Sequence, residues 1–185
     1  MTSYPVMPVA SDGAVAVAAR PASLSLGDLL APSDIEIDVP AASKREGLVH
    51  LAQLLAGPAG ASKRDVAAAL VRRERLGPTY VGDGIAIPHG RVPGSIAPAA
   101  AAIRLRHPVD YGTTEHDTAH LLVGVTWPDE QPAGFVSSLA SIWRLLRKTG
   151  QAKAVREGTD REEIHRVLTG EGGPGRQEQG APAQT

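Results

Sequence analysis

The sequence predicts an α/β protein, a three-layer sandwich in which a mixed β-sheet is flanked by helices on both faces. Two observations carry this. Segments with helical and strand periodicity alternate along the chain, which is the pattern of sheet and helix layers sharing one core. The run Ala119 to Thr126 is more continuously apolar than a half-solvated strand allows, so it reads as a central strand covered on both sides. No internal repeat is visible.

Taken in order, residues 1–22 are rich in Ala, Val, Pro and Ser without periodicity and read as a flexible extension. Ile35-Glu36-Ile37-Asp38-Val39 alternates apolar and acidic residues and reads as a half-buried strand or an extended segment. Ser43 and Glu46 form a capping box ahead of a helix with Leu48, Leu51 and Leu55 on one face. Gly57-Pro58 and Gly60 are expected to break it. Ser62 with Asp65 opens the next helix, whose inward face is Val66, Ala69 and Leu70. Ile85 to Ile87 is a short strand, Ala101 to Arg106 a second, and Ala119 to Thr126 a third. Pro132 is expected to begin a helix with the stripe Phe135, Leu139, Ile142 and Leu146. Thr159 with Glu162 is a further capping box, leading into Ile164, Val167 and Leu168. The tail 171–185 is Gly, Pro, Gln and Glu and reads as disordered. The globular part is therefore 23–170.

Composition narrows the function classes. The 185 residues carry a formal net charge of −1, so no broad attraction to nucleic acid or anionic lipid is expected. Aromatic residues make up 3%, too few to favour base stacking. The chain has no cysteine, which excludes disulfides, thiolate metal sites and cysteine nucleophiles. No apolar run approaches the roughly 20 residues of a membrane helix. Ala14 to Ala19 is too short, and lacks the basic flank, for a secretory signal. A cytoplasmic protein with no metal and no cofactor is expected.

The chemistry concentrates in Tyr80-Val81-Gly82-Asp83-Gly84-Ile85-Ala86-Ile87-Pro88-His89-Gly90-Arg91. Pro88 fixes its own φ and holds Ile87 extended, so the strand runs straight to His89. Gly82, Gly84 and Gly90 leave the backbone free to approach a ligand. Imidazole is neutral and nucleophilic near physiological pH, and Arg91 lies next but one, so the arrangement suits a nucleophile that meets an anionic group. The run Gly84 to Gly90 resembles the active-site signature of the mannitol/fructose-type enzyme IIA proteins of the bacterial phosphoenolpyruvate:sugar phosphotransferase system. The resemblance covers about Leu24 to Gly170 and implies the same sandwich. It further implies that His89 accepts a phosphoryl group from a histidine phosphocarrier protein, with the glycines Gly82, Gly84 and Gly90 as a phosphate loop.

Arg73 is the second candidate. Its helical offsets from Leu70 and Val66 place it at the edge of the buried stripe, where a guanidinium either snorkels or holds an anion. The run Arg73-Glu74-Arg75-Leu76-Gly77 resembles the family's segment ahead of the histidine loop, which implies that Arg73 lies near the phosphorylated imidazole. A planar fork can hold two phosphoryl oxygens at once. One position departs from the family: Phe135 in Phe135-Val136-Ser137-Ser138-Leu139 stands where a second histidine is usual. Phe cannot hydrogen-bond a phosphoryl oxygen, and this puts onward transfer in question.

The other histidines are less specific. His116 and His120 have the spacing of a helical zinc pair, but in an extended segment they stand about 13 Å apart and cannot share an ion. His50 and His165 fit surface or core roles, and His107 is expected in a loop before Pro108. Glu115 and Asp117 read as a solvated loop. Three functions stay open. The first is a phosphotransferase component passing phosphate to an enzyme IIB. The second is a regulatory module like the nitrogen-regulatory enzyme IIA proteins, whose regulated target proteins change with phosphorylation. The third is a pseudo-enzyme. The missing second histidine, and the lack of a fused phosphocarrier, enzyme IIB or membrane domain in the sequence, favour regulation.

Overall fold

Strand β6 (Thr118–Pro128) is the spine of the molecule: all but its first residue are buried. The structure is a computed structural model that describes residues 23–112, 117–148 and 150–171. The expectations for residues 1–22, for the tail beyond Glu171 and for Glu115 and His116 lie outside the described residues.

Six strands form one mixed sheet. The remaining five are β1 (Ile35–Val39), β2 (Tyr80–Gly82), β3 (Ile85–Ala86), β4 (His89–Val92) and β5 (Ala99–Asp110). Their order is β1-β5-β6-β3-β2, with β4 also paired to β6. β1 runs parallel to β5, and β3 and β4 parallel to β6, while β5–β6 and β2–β3 are antiparallel. Period-two alternation splits the side chains between two cores. Ala101, Ile103 and Leu122 face one cluster, with Leu51 and Leu55 of α2 (Lys44–Ala59) and Val66 and Leu70 of α3 (Lys63–Glu74). Ala100, Ala102, Leu121 and Val123 face the other, with Ile142 of α4 (Phe135–Leu146), Val155 of α5 (Gln151–Glu157) and Ile164 of α6 (Arg161–Thr169). Leu26 of the short α1 (Leu26–Leu29) joins this second cluster. The expected three-layer sandwich with helices on both faces is what forms. Where α2 crosses β6, Gly124 removes a side chain that would strike Leu51.

Several boundaries differ from the sequence reading, each for a local reason. Helix α2 runs through Gly57-Pro58, because proline in the last turn forfeits one N–H bond, and Gly60 then closes the helix at φ 60°. β5 extends through His107 and Pro108, so His107 lies in a strand. A register shift between Arg104 and Val109 spares Pro108 a ladder donor. α4 begins at Phe135 and not at Pro132, because Gly134 at φ 83° breaks helical geometry just before it. The last helix is capped by Asp160, whose Oδ1 accepts from the Glu163 amide at 2.7 Å, one residue later than the expected box. α1 and α5 carry no periodic signal long enough to find.

Candidate active site

His89 opens β4 and does not end the preceding strand as expected. β3 stops at Ala86, Ile87 and Pro88 form an extended link, and His89 pairs with Val125 of β6. The link is pinned at both ends. The Ile87 amide donates to the Thr79 carbonyl at 2.9 Å, and the Val125 amide to the Pro88 carbonyl at 2.9 Å.

The imidazole is held at both nitrogens. Nδ1 lies 2.7 Å from the Ile87 carbonyl. A carbonyl has no proton to give, so Nδ1 is the donor and Nε2 carries the lone pair. Arg73 Nε donates to Nε2 at 3.0 Å, which agrees with that tautomer. Arg73 Nη1 also donates to the Gly77 carbonyl at 2.9 Å, fixing the guanidinium across the ring. Burial lowers the His89 pKa below its ordinary 6.5, helped by the Arg73 charge and opposed by the Ile87 carbonyl and by Glu74. The neutral form is therefore favoured. A neutral imidazole with its lone pair against a guanidinium is arranged to attack an electrophile that carries negative charge.

Glu74 is a residue that the sequence reading did not single out. Its carboxylate accepts from the Thr79 hydroxyl at 2.6 Å and amide at 3.2 Å, and from Lys44 at 3.3 Å. Because the Thr79 carbonyl holds Ile87 and the Ile87 carbonyl holds His89, Glu74 anchors the chain that orients the ring. Its place immediately after Arg73 was the available signal. Arg91, in contrast, pairs with Asp129 at 2.8 Å.

Phe135 sits where its place in the sequence suggests, at the start of α4 against His89. The ring centroids are 6.1 Å apart at 63°, and Phe135 also packs on Trp127 at 5.7 Å. His89 opens into a cleft of about 390 Å³ lined by Arg73, Tyr80, Val136, Leu139 and Trp143 among others. Val136 is 78% exposed and Trp143 43%, so one wall is apolar and open to solvent.

The three glycines lie close in the chain but do not line this cleft. Asp83 (φ 52°) and Gly84 (φ 76°) form the two-residue turn between β2 and β3, for which Asp-Gly is a strong and overlooked signal. A Cβ on Gly84 would run into the His120 ring, and one on Gly90 would press the Ala69 backbone at 3.1 Å. His120 is buried in β6, His50 bonds Glu36 at 2.8 Å, and His165 donates to the Leu30 carbonyl at 2.8 Å.

Residues 28–170 match the family described as phosphoenolpyruvate-dependent sugar phosphotransferase system, EIIA 2. The chain belongs to this enzyme IIA family. It is 34% identical over 145 residues to a nitrogen regulatory protein of Bradyrhizobium diazoefficiens, covering 78% of this chain and 95% of that one. A nitrogen regulatory protein of Klebsiella oxytoca is 26% identical over 148 residues, 80% of this chain and 91% of that one. Among solved structures, nitrogen regulatory protein IIA-Ntr from Neisseria meningitidis superposes with a TM-score of 0.72 at 28% identity, over 77% of this chain and 98% of that one. The enzyme IIA fold is shared as well by mannitol IIA from Escherichia coli, with a TM-score of 0.62 at 23% identity, over 75% and 97% of the two chains. Among the described residues, no helix is long and apolar enough to cross a membrane.

Proposed function

We propose that this enzyme IIA protein accepts a phosphoryl group on His89 from a histidine phosphocarrier protein in the cytoplasm and acts as a nitrogen-regulatory-type signalling component. The observation that carries the reading is the double hold on the His89 ring, with Nδ1–H committed to Ile87 and Nε2 facing Arg73. In the transfer, the Nε2 lone pair attacks the donor's phosphorus in line. The new N–P bond forms as the donor's N–P bond breaks, and the donor imidazole keeps the released electron pair. His89 retains its Nδ1 proton, so the phosphorylated ring is cationic and the Ile87 carbonyl offsets that charge.

Arg73 has two tasks in sequence. Its Nε–H first masks the lone pair, then must move from the ring to the phosphoryl oxygens as the bond forms. Its anchor on Gly77 keeps that movement short. The apolar wall of Val136, Leu139 and Trp143 suits a protein donor more than a small polar one. Of the three glycines only Gly90 adjoins His89 in β4, packed on the Ala69 backbone, so the phosphoryl group is held by Arg73 and not by a glycine loop. Phe135 offers the phosphoryl group no donor, which favours a signalling role, read by regulated target proteins, over rapid relay to an enzyme IIB. The test is intact mass after incubation with phosphoenolpyruvate, enzyme I and phosphocarrier. The parent gains one phosphoryl group and His89→Ala gains none; a labelled His89→Ala protein would overturn the assignment.

A further inference from the structure

A second and larger cleft, of about 610 Å³, lies on the other side of Tyr80, which lines both. It is bounded by the Asp83–Gly84 turn, by Pro108, Thr118 and His120 at the ends of β5 and β6, and by the residues around the start of α5. Among the described residues, four of its lining side chains are the cations Arg147, Lys148, Lys153 and Arg156, against the single carboxylate Asp83. The chain as a whole carries a formal charge of −1, so this concentration of positive charge is local and not a consequence of composition. Lys153 approaches Glu157 at 3.8 Å, but both are mostly exposed and such a pair holds weakly. Arg147 rests on the Trp143 ring at 4.8 Å. Among the described residues, no carboxylate lies within ion-pair distance of Arg147, Lys148 or Arg156.

His120 lies at the β6 end of the cleft, beside these cations. It lines this cleft, is 8% exposed, and its buried Nε2 has no partner of good hydrogen-bond geometry, with the Ala152 backbone the polar group beside the ring. The bare Gly84 against the ring keeps the imidazole in this place, since any side chain there would displace it.

We infer that this cleft binds a small organic polyphosphate of up to nucleotide size. Four cations exceed what a single phosphate can engage, whereas a diphosphate or triphosphate chain can meet several at once, through arginine forks and lysine point charges. The volume falls in the range of small-ligand sites, roughly 300–1,000 Å³. Tyr80 and Pro108 supply an apolar wall for the organic part, and the His120 ring forms part of the lining. The site is independent of phosphoryl transfer at His89.

Nucleotides and free pyrophosphate share this chemistry, so the full chain is titrated calorimetrically with ATP, inorganic pyrophosphate and inorganic phosphate at physiological ionic strength. ATP and pyrophosphate are expected to bind one-to-one, with phosphate weaker by about ten-fold or more. Tighter binding of ATP than of pyrophosphate identifies a nucleotide-type ligand; equal binding identifies the phosphate chain alone. Lys148→Ala and Arg156→Ala, both at exposed positions, should each weaken binding about ten-fold, the scale of one charge-assisted contact. His89→Ala should leave it within about two-fold, because the His89 cleft is separate. The His120 ring resonances should shift on binding. The inference fails if neither polyphosphate binds at millimolar concentration. It fails equally if binding ignores Lys148→Ala and Arg156→Ala, or is lost with His89→Ala.

Discussion

At the scale of the residue, the account turns on which form of the His89 ring is present and what faces it. Arg73 faces Nε2 at 3.0 Å, and its loss removes a charge-assisted contact of about 1.5–3 kcal/mol, so Arg73→Ala should slow phosphorylation ten-fold or more while the protein stays folded. Unchanged kinetics in a folded variant would return Arg73 to a surface role. The lowered His89 pKa gives a pH dependence whose sign is fixed. Above 6.5 both the folded and the unfolded chain hold the ring neutral, and the full stability and nucleophilicity are present. As pH falls below 6.5 the unfolded chain takes the proton first, so stability declines towards the folded-state value, and buried His120, lowered chiefly by desolvation, acts in the same direction. An NMR titration of the His89 ring should therefore show a midpoint below 6.5, and a midpoint above it would contradict the described environment. The contact between Arg73 and His89 was expected from the family resemblance, since helical spacing alone left Arg73 either snorkelling or holding an anion. Glu74 was not, since its role runs through Thr79 and Ile87, a chain of contacts that exists only once the strand is folded back.

At the scale of the element, α3 and α4 deliver side chains to His89 from opposite faces of the sheet. α3 ends in Arg73 and Glu74. α4 begins at Phe135 because Gly134 takes a left-handed conformation there, and this start sets the aromatic ring 6.1 Å from the imidazole. Phe135→His would place a hydrogen-bonding group at the same point. It should speed exchange with the carrier or transfer to an enzyme IIB-type partner, at a packing cost on the order of 1–3 kcal/mol from contacts with Trp127. Transfer rates on parent and variant, each confirmed folded by circular dichroism, decide this; equal rates would show that a second polar group is dispensable here. The leucine stripes of α2 and α4 and the apolar run of β6 were readable because their periods are local. The α5 segment and the Asp160 cap were not. Seven residues with no sustained stripe give little periodicity, and a Thr-Asp pair offers two equivalent capping frames.

At the scale of the whole molecule, β6 is the common partner of β3 and β4, so the link between them is fixed by one buried strand. That is why a histidine directly after a two-residue connection can be held to one orientation. The sandwich itself was predictable from alternating helix and strand patterns. The pairing order was not, because the crossings that bring β1 beside β5 and β4 beside β6 depend on contacts distant in sequence. The central claim is that the folded frame presents Nε2 of His89, and not Nδ1, for phosphorylation. Nitrogen-15 NMR of the protein after incubation with phosphorylated carrier tests it most directly. The account predicts a single phosphohistidine at His89 bonded through Nε2, with Nδ1 still protonated; a phosphoryl group on Nδ1, or on any other histidine, would contradict it.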